Sequence, residues 1–223
     1  MRVAFTGCER KVRNAHLLCR AKSVGNIHLV AGGAFAAGND VFLKTYHGEG
    51  PDKGDYEAAL AEGARALILH YGYDEEREAE ESWANSPKSC QRVLAAYLSY
   101  WLEYHPKTDA FKIVLEEDGE PMTEFALSYE LDVKHPVTGE PLGYQIRVDC
   151  VRERNGALWG VDDKTTTSLG ASWAAQWDTR SQFLGYVYIA RKLGLDLRGI
   201  LVRGTGILKT KITHMEVPVS VSQ

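Results

Sequence analysis

The chain has 223 residues, of which 44% are apolar and 10% aromatic, enough for one sizeable hydrophobic core. Its formal charge of −4 gives no overall sign of nucleic-acid affinity, and no apolar run reaches the about 18 residues of a membrane span, so we expect a cytoplasmic protein without a membrane partner. The four cysteines are scattered without a Cys-x-x-Cys pair, which argues against a structural zinc site, a disulfide framework or a four-cysteine iron–sulfur cluster.

Helical patterns dominate the first half of the chain. The first 27 residues are basic and predict no firm element. Residues 28–46 predict a helix rich in small side chains, which would allow close packing, and residues 56–71 predict a second helix with a regular apolar face. Pro87 predicts the start of a third, whose apolar face runs to Trp101 and which ends before Pro106.

The pattern then changes to a period of two, which is typical of strands. Residues 125–131, 144–151 and 158–165 predict three consecutive antiparallel strands. A helix over residues 172–193 and closing strands at 199–202 and 213–219 complete the predicted order. We therefore expect one α/β domain over residues 1–223, mainly helical over 1–110, with an α/β core over 111–223.

Charge is distributed unevenly along the sequence. Residues 165–223 carry seven Lys or Arg against three acids, whereas the rest of the chain is acidic, much of it in the run 74–81. That acidic run is typical of a solvated helix face or loop. The basic C-terminal part permits a surface that faces DNA but does not establish one.

The most informative pattern is a pair of acids on the two sides of Asn155-Gly156. This dipeptide is the strongest two-residue signal for a β-hairpin, because both positions tolerate a positive φ. With Arg154 opposite Ala157, Asp149 comes to lie opposite Asp162. Alternation places Asp162 and Lys164 on one face of the sheet and Asp163 on the other.

Two carboxylates paired across strands stand roughly 5 Å apart and repel each other, unless a cation lies between them or one is protonated. A lysine beside them suits a hydrated Mg²⁺ or Mn²⁺ and an attacked phosphate, which predicts a metal-dependent phosphodiesterase. A structural alternative stays open, in which Arg147 and Lys164 pair with Asp149 and Asp162. Further along, Gln182 and Tyr186 are spaced i, i+4 and share a helix face, where they can orient a phosphate or a water.

These residues resemble a known family. Arg147-Val148-Asp149, a short hairpin, Val161-Asp162-Asp163-Lys164-Thr165 and then Gln182-x-x-x-Tyr186 are similar to the RecB-like branch of the PD-(D/E)XK nuclease superfamily, many of whose members are phage or prophage exonucleases. The stretch 32–40 resembles the Gly-x-x-x-His-x-x-x-Glu helix with which this branch opens. In that helix Ala36 takes the histidine position and Asp40 the glutamate position. Val148 stands where the superfamily has a proline.

The resemblance implies a restriction-endonuclease-like core and a role for each matching residue. Asp149 and Asp162 would bind Mg²⁺ or Mn²⁺, joined by the Asp163 carbonyl and by Asp40, or failing it Glu124. Lys164 would position or deprotonate the attacking water, and Gln182 and Tyr186 would hold the site and the DNA backbone. We also expect DNA contacts from three further side chains: Arg180, Trp177 and Arg203.

The expected function is that of a metal-dependent deoxyribonuclease, an exonuclease serving recombination or phage DNA processing. The alternatives are a structure-specific endonuclease or nickase on the same core, or a catalytically degenerate module that binds DNA without cutting it. The phage resemblance also implies a single-strand annealing protein as a partner. Ring-shaped trimers occur among phage exonucleases of this fold, but no pattern in this chain indicates an oligomer.

Overall fold

The computed structural model describes residues 26–72, 85–108, 112–177 and 180–221. The basic residues 1–25 and the acidic run 74–81 lie outside the described residues. Within the described residues the structure has six α-helices and one π-helical turn, where the sequence predicted four helices. Within the described residues no helix has both the length and the apolarity to cross a membrane.

Helices α1 (Ile27–His47) and α2 (Tyr56–Tyr71) form at the predicted positions. Each begins at a side-chain cap, since Asn26 accepts from the His28 N–H and Asp55 accepts from the Ala58 N–H, both at 3.0 Å. Small residues let the two helices approach closely, because a Cβ on Gly38 would lie 3.0 Å from the backbone oxygen of Gly63.

The third helical segment continues beyond its predicted end. Helix α3 (Cys90–Ser99) passes into a π-helical turn (Tyr100–Tyr104) and then into the short α4 (His105–Thr108). The prediction that the helix ends before Pro106 is therefore wrong. Pro106 lies inside this continuous helical segment and has no N–H to donate, while the Trp101 carbonyl one turn earlier accepts a hydrogen bond from the Tyr56 hydroxyl.

Six strands form one mixed sheet: β1 (Lys112–Ile113), β2 (Thr123–Lys134), β3 (Pro141–Arg154), β4 (Ala157–Thr166), β5 (Leu197–Ile207) and β6 (Ile212–Ser220). Strands β1 and β2 both pair with β3, and the order then runs β3-β4-β5-β6. The predicted meander β2-β3-β4 is antiparallel, β4 and β5 are parallel, and β6 is antiparallel to β5. The chain is thus an α/β protein, as the sequence predicts.

The crossover between β4 and β5 holds two helices, α5 (Ala171–Ala175) and α6 (Ser181–Lys192), where the sequence predicted one over residues 172–193. Arg180 has an extended backbone (φ −69°, ψ 112°) and begins α6. The break separates two apolar faces that pack into the same core, through Trp173 and Trp177 before it and Phe183 and Val187 after it.

Apolar side chains form one core on each side of the sheet. The first, which we call the α1 side, packs α1, α2 and α3 against Cys150, Trp159 and Val161. The second, the α6 side, packs α5 and α6 against Val148 and Val202. Residues that alternate along β4 therefore face two different sides of the sheet, and successive charged side chains on this strand lie on opposite sides.

Candidate functional site

The hairpin register agrees with the prediction from the turn up to Cys150 and Val161, one residue short of Asp149 and Asp162. Asn155 and Gly156 form the turn, with φ angles of 53° and 73°, and Arg154 pairs with Ala157. The paired ladder ends at Cys150 and Val161, and Asp149 and Asp162 are the residues that follow it along each strand. There the Asp163 N–H donates to the Asp149 carboxylate at 2.5 Å, which fixes the first acid against the neighbouring strand.

The backbone is irregular at this position. Val148 and Cys150 would share a face of a regular strand, yet Val148 belongs to the α6 core and Cys150 to the α1 core. Opposite them, Glu124 stands between the paired residues Thr123 and Phe125 and has a φ of 48°, a conformation rare for a residue with a side chain. Such interruptions re-aim side chains and are frequent at functional sites.

The five residues predicted to carry catalysis line one open cavity of about 650 Å³, which we call the Asp149 cavity. Asp149 comes from β3, Asp162 and Lys164 from β4, and Gln182 and Tyr186 from α6. Three elements that are distant in sequence thus meet at one site. The remaining wall comes from the β2-β3 hairpin: Ala126, Leu127, Ser128, Gln145, Ile146 and Arg147.

Lys164 supplies the positive charge inside this cavity by contacting the Asp162 carboxylate. Burial raises the pKa of Asp149 to about 7, helped by the charges of Asp163 and Asp162 and opposed by the Asp163 N–H and by Lys164. Burial also raises the pKa of Asp162, against the effect of Lys164. Burial alone would lower the pKa of Lys164, but Asp162 and the neighbouring acids raise it, so the lysine is charged at neutral pH.

Asp149 gives a prediction for the metal-free protein. Because its pKa is raised in the folded state, the proton it holds stabilises the fold at low pH, and this stabilisation is lost as the pH rises from about 4 through about 7. Asp149→Asn keeps a neutral side chain at all pH values. We expect this variant to match wild type near pH 4 and to exceed its free energy of unfolding at pH 8 by on the order of 1–3 kcal/mol.

Urea denaturation in EDTA at both pH values measures this difference. The matched control is Asp196→Asn. Asp196 is exposed, so this substitution removes the same charge from the protein surface. An Asp149→Asn variant less stable than wild type at pH 8 would contradict the assigned repulsion.

Gln182 and Tyr186 lie one turn apart on α6 and face the acids. The Gln182 Nε2 donates to the Tyr186 hydroxyl at 2.7 Å, so the two side chains form one polar unit. Burial raises the pKa of Tyr186, and Asp162 adds to the increase. The hydroxyl therefore stays protonated at neutral pH and can donate a hydrogen bond.

Asp163 faces the α1 side, as alternation predicted, and is held there by Arg203. The guanidinium makes two parallel hydrogen bonds to the carboxylate, Nε to Oδ1 at 2.7 Å and Nη2 to Oδ2 at 2.6 Å. Asn39 of α1 also donates to this carboxylate at 3.1 Å. The Asp163 side chain is thus neutralised away from the cavity, and only its backbone is available to the Asp149 side.

Two of the expected DNA contacts need correction. Arg203 is 3% exposed and its guanidinium is engaged by Asp163 and by the Tyr100 hydroxyl, so it offers no surface to DNA. Trp177 is 6% exposed and packs against Trp173 with ring centroids 5.2 Å apart, as part of the α6 core. Arg180 is exposed, next to Gln176, and its contact with DNA stays a prediction.

Asp40 forms an ion pair within its own helix. Its Oδ2 pairs with Lys44 one turn along α1, at 2.9 Å, and it does not line the Asp149 cavity. Glu124 has an indirect link to the site, because its carboxylate forms an ion pair at 2.9 Å with Arg147, a residue of the cavity wall. Over the described ranges, no group of three or more His, Cys, Asp or Glu side chains is arranged to hold a metal ion.

The donor set still fits a hydrated divalent ion of the Mg²⁺ type. Such an ion keeps several waters and takes one or two carboxylates in protein sites. With both carboxylates ionised, Asp149 and Asp162 would carry two negative charges against the charge of Lys164. Arg203 neutralises Asp163 elsewhere, and Arg147 of the wall pairs with Glu124. Hard oxygen donors and a net negative charge suit Mg²⁺ or Mn²⁺ better than zinc.

Sequence reasoning missed three polar residues around the site. Gln145 shares the period-two face of Arg147 and Asp149, and that spacing could have revealed it. Ser128 pairs with Gln145 across the hairpin. Predicting its position would have required the register between β2 and β3, which the sequence did not determine. Asn39, which links Asp163 to the Trp101 indole, carries no sequence signal beyond its place before Asp40.

Comparison with known proteins adds little to this geometry. No family model matches the chain, and no curated protein matches it. Among solved structures, the crystal structure of SSO0001 aligns with 14% identity and a TM-score of 0.28, covering 95% of this chain and 76% of that one. Since a TM-score this low carries no argument, the functional inference rests on the residues of the chain itself.

Proposed function

We propose that this protein is a metal-dependent deoxyribonuclease with a restriction-endonuclease-like core. The observation that carries the proposal is the shared cavity of Asp149, Asp162, Lys164, Gln182 and Tyr186. Two buried acids with a single lysine are costly to hold together, so their retention favours a catalytic role over a structural one. The resemblance of the same five residues to the RecB-like nucleases supports this interpretation.

Asp149 and Asp162 would hold the Mg²⁺ or Mn²⁺, with the Asp163 carbonyl as a further oxygen donor. The metal, when bound, supplies charge neutralisation at the phosphate and a lowered pKa of bound water. Because Lys164 is charged, we assign it to orienting the attacking water and offsetting negative charge on the phosphate rather than to proton abstraction. A protonated Tyr186, oriented by Gln182, would donate to a phosphate oxygen of the strand.

The choice among the nuclease types follows from the family resemblance, which favours an exonuclease that acts on linear DNA. A structure-specific endonuclease would use the same side chains. A degenerate module that only binds DNA is favoured by one observation, the absence of Asp40 from the residues that line the Asp149 cavity. These alternatives differ in their products and are separated by one assay.

The test incubates end-labelled linear duplex DNA and covalently closed circles with the full chain in Mg²⁺, Mn²⁺ or EDTA. We expect metal-dependent shortening of the linear DNA, intact circles, and loss of cleavage by about 10³-fold or more in Lys164→Ala. Lys53→Ala is the matched control, since Lys53 is exposed and pairs with Glu49 away from the cavity. Control activity should equal wild type.

Each other result has a defined meaning. Cut circles would reassign the protein to the endonucleases while keeping the site. DNA binding without cleavage in any metal would replace the enzyme by the degenerate module. Cleavage that survives in Lys164→Ala would remove the site assignment.

A further inference from the structure

A second cavity lies on the α1 side of the sheet, away from the Asp149 cavity. It has a volume of about 350 Å³ and is formed between the end of α1, the start of α2, α4, β1 and Arg152 of β3. We call it the Arg152 cavity. Its volume falls in the range of about 300–1,000 Å³ that is typical of small-molecule sites.

The wall of the Arg152 cavity is basic. Among the described residues that line it, Arg152 and Lys112 are positively charged, and none is an aspartate or glutamate. Burial, together with Arg152 and Arg203, lowers the pKa of His105 to about 3, so this imidazole is a neutral part of the wall. In a chain with a net charge of −4, a concave site lined with one sign of charge attracts the opposite sign. The lining therefore favours an anion.

Arg152 distinguishes this cavity from an exposed basic surface, because its charged side chain is buried. It is 4% exposed, and its Nε has no hydrogen-bond partner within the described part of the chain. The contrast with Arg203 on the same side of the sheet is direct, because that buried guanidinium is saturated by Asp163 and Tyr100. Arg152 bonds the Cys150 side chain, and within the described residues no carboxylate forms an ion pair with it, although Glu216 is close enough for their charges to interact. A buried guanidinium without a contacting carboxylate is costly, and an anionic ligand would offset that cost.

Aromatic rings form another part of the wall. Tyr46 and Tyr56 are half-buried and lie edge to face with centroids 5.7 Å apart, and Phe42 packs behind them. Rings of this kind pack against planar ligands, and stacking on a nucleobase is tolerant of its identity. A basic wall beside an aromatic one matches a ligand that joins a phosphate to a flat ring.

We propose that the Arg152 cavity binds a nucleoside 5′-monophosphate group, with Arg152 and Lys112 on the phosphate and Tyr46 and Tyr56 against the base. The group can belong to a free mononucleotide or to the terminal nucleotide of a DNA strand. This site is separate from the Asp149 cavity, and the proposal holds whether or not cleavage occurs there.

Calorimetric titration in EDTA tests the proposal on the full chain with deoxyadenosine 5′-monophosphate, deoxyadenosine and inorganic phosphate. We expect the monophosphate to bind at least about tenfold more tightly than either fragment, because each fragment lacks one half of the recognition. Arg152→Gln should weaken monophosphate binding at least about tenfold. Lys112→Gln, at an exposed position, should weaken it severalfold and serves if the first variant fails to fold.

Lys164→Ala is the control for the other cavity and should leave monophosphate binding unchanged. Short single strands with a 5′-phosphate or a 5′-hydroxyl then separate the two sources. Binding of the phosphorylated strand through Arg152 assigns the site to strand ends, and binding of the free monophosphate alone assigns it to nucleotides. No binding at millimolar monophosphate, equal binding of deoxyadenosine, equal binding of phosphate, or unchanged binding in both Arg152→Gln and Lys112→Gln would overturn the proposal.

Discussion

Asp162→Asn is expected to weaken Mn²⁺ binding at least about tenfold and to reduce metal-dependent cleavage by about 10³-fold or more. Asp162 is 3% exposed and its carboxylate contacts Lys164 in the Asp149 cavity. The substitution removes one of the two charges that would hold the ion, and it turns an amide towards the lysine. Titration followed by Mn²⁺ electron paramagnetic resonance measures the affinity independently of cleavage.

Comparison with Lys164→Ala separates metal binding from catalysis. Since Lys164 competes with a cation for Asp162, its removal should leave Mn²⁺ affinity equal or higher while cleavage is lost. Asp132→Asn, an exposed change of the same charge on the hairpin, is the matched control and should alter neither property. If Asp162→Asn binds Mn²⁺ as wild type does, Asp162 is not a ligand.

The sequence predicted the hairpin because its turn chemistry and its alternation agree. Asn155-Gly156 favours positive φ at both positions, and the apolar pattern of the flanking strands allows one register. The juxtaposition of Asp149, Asp162 and Lys164 follows from those two facts alone. The helical period predicted that Gln182 and Tyr186 share one helix face. This prediction does not depend on the break at Arg180, because both residues lie after it in α6.

Other parts of the site depend on tertiary packing that no local pattern encodes. Arg203 resembles a surface cation in sequence, but β5 is central and parallel to β4, which buries it beside Asp163. Trp177 likewise resembles a surface residue in sequence, but in the structure it lies between α5 and α6 and packs into the α6 core. The Arg152 cavity brings together five separate segments, and only the folded chain places their basic and aromatic residues around one space.

The buried Arg203–Asp163 pair gives the largest expected effect on stability. Arg203 and the Asp163 side chain are 3% and 7% exposed, and the pair is bidentate. Arg203→Met leaves the carboxylate buried with only Asn39 as a partner, which should lower the free energy of unfolding by about 3–5 kcal/mol. Urea denaturation measures the loss, and Arg198→Met, at the exposed second residue of the same strand, should change stability by less than about 0.5 kcal/mol.

The double variant Arg203→Met/Asp163→Leu distinguishes a pair that stabilises the fold from one that positions the site. Because an apolar pair of similar volume replaces a buried ion pair at little cost, the double variant should recover most of the stability lost in Arg203→Met. The Asp163 N–H bonds Asp149, so a shift of β4 in the double variant would move the acid pair. A double variant with restored stability and slower cleavage would show that the pair positions Asp149, whereas restored stability with full cleavage would limit its role to folding. A loss below about 1 kcal/mol in Arg203→Met would contradict the burial and charge assigned to the pair.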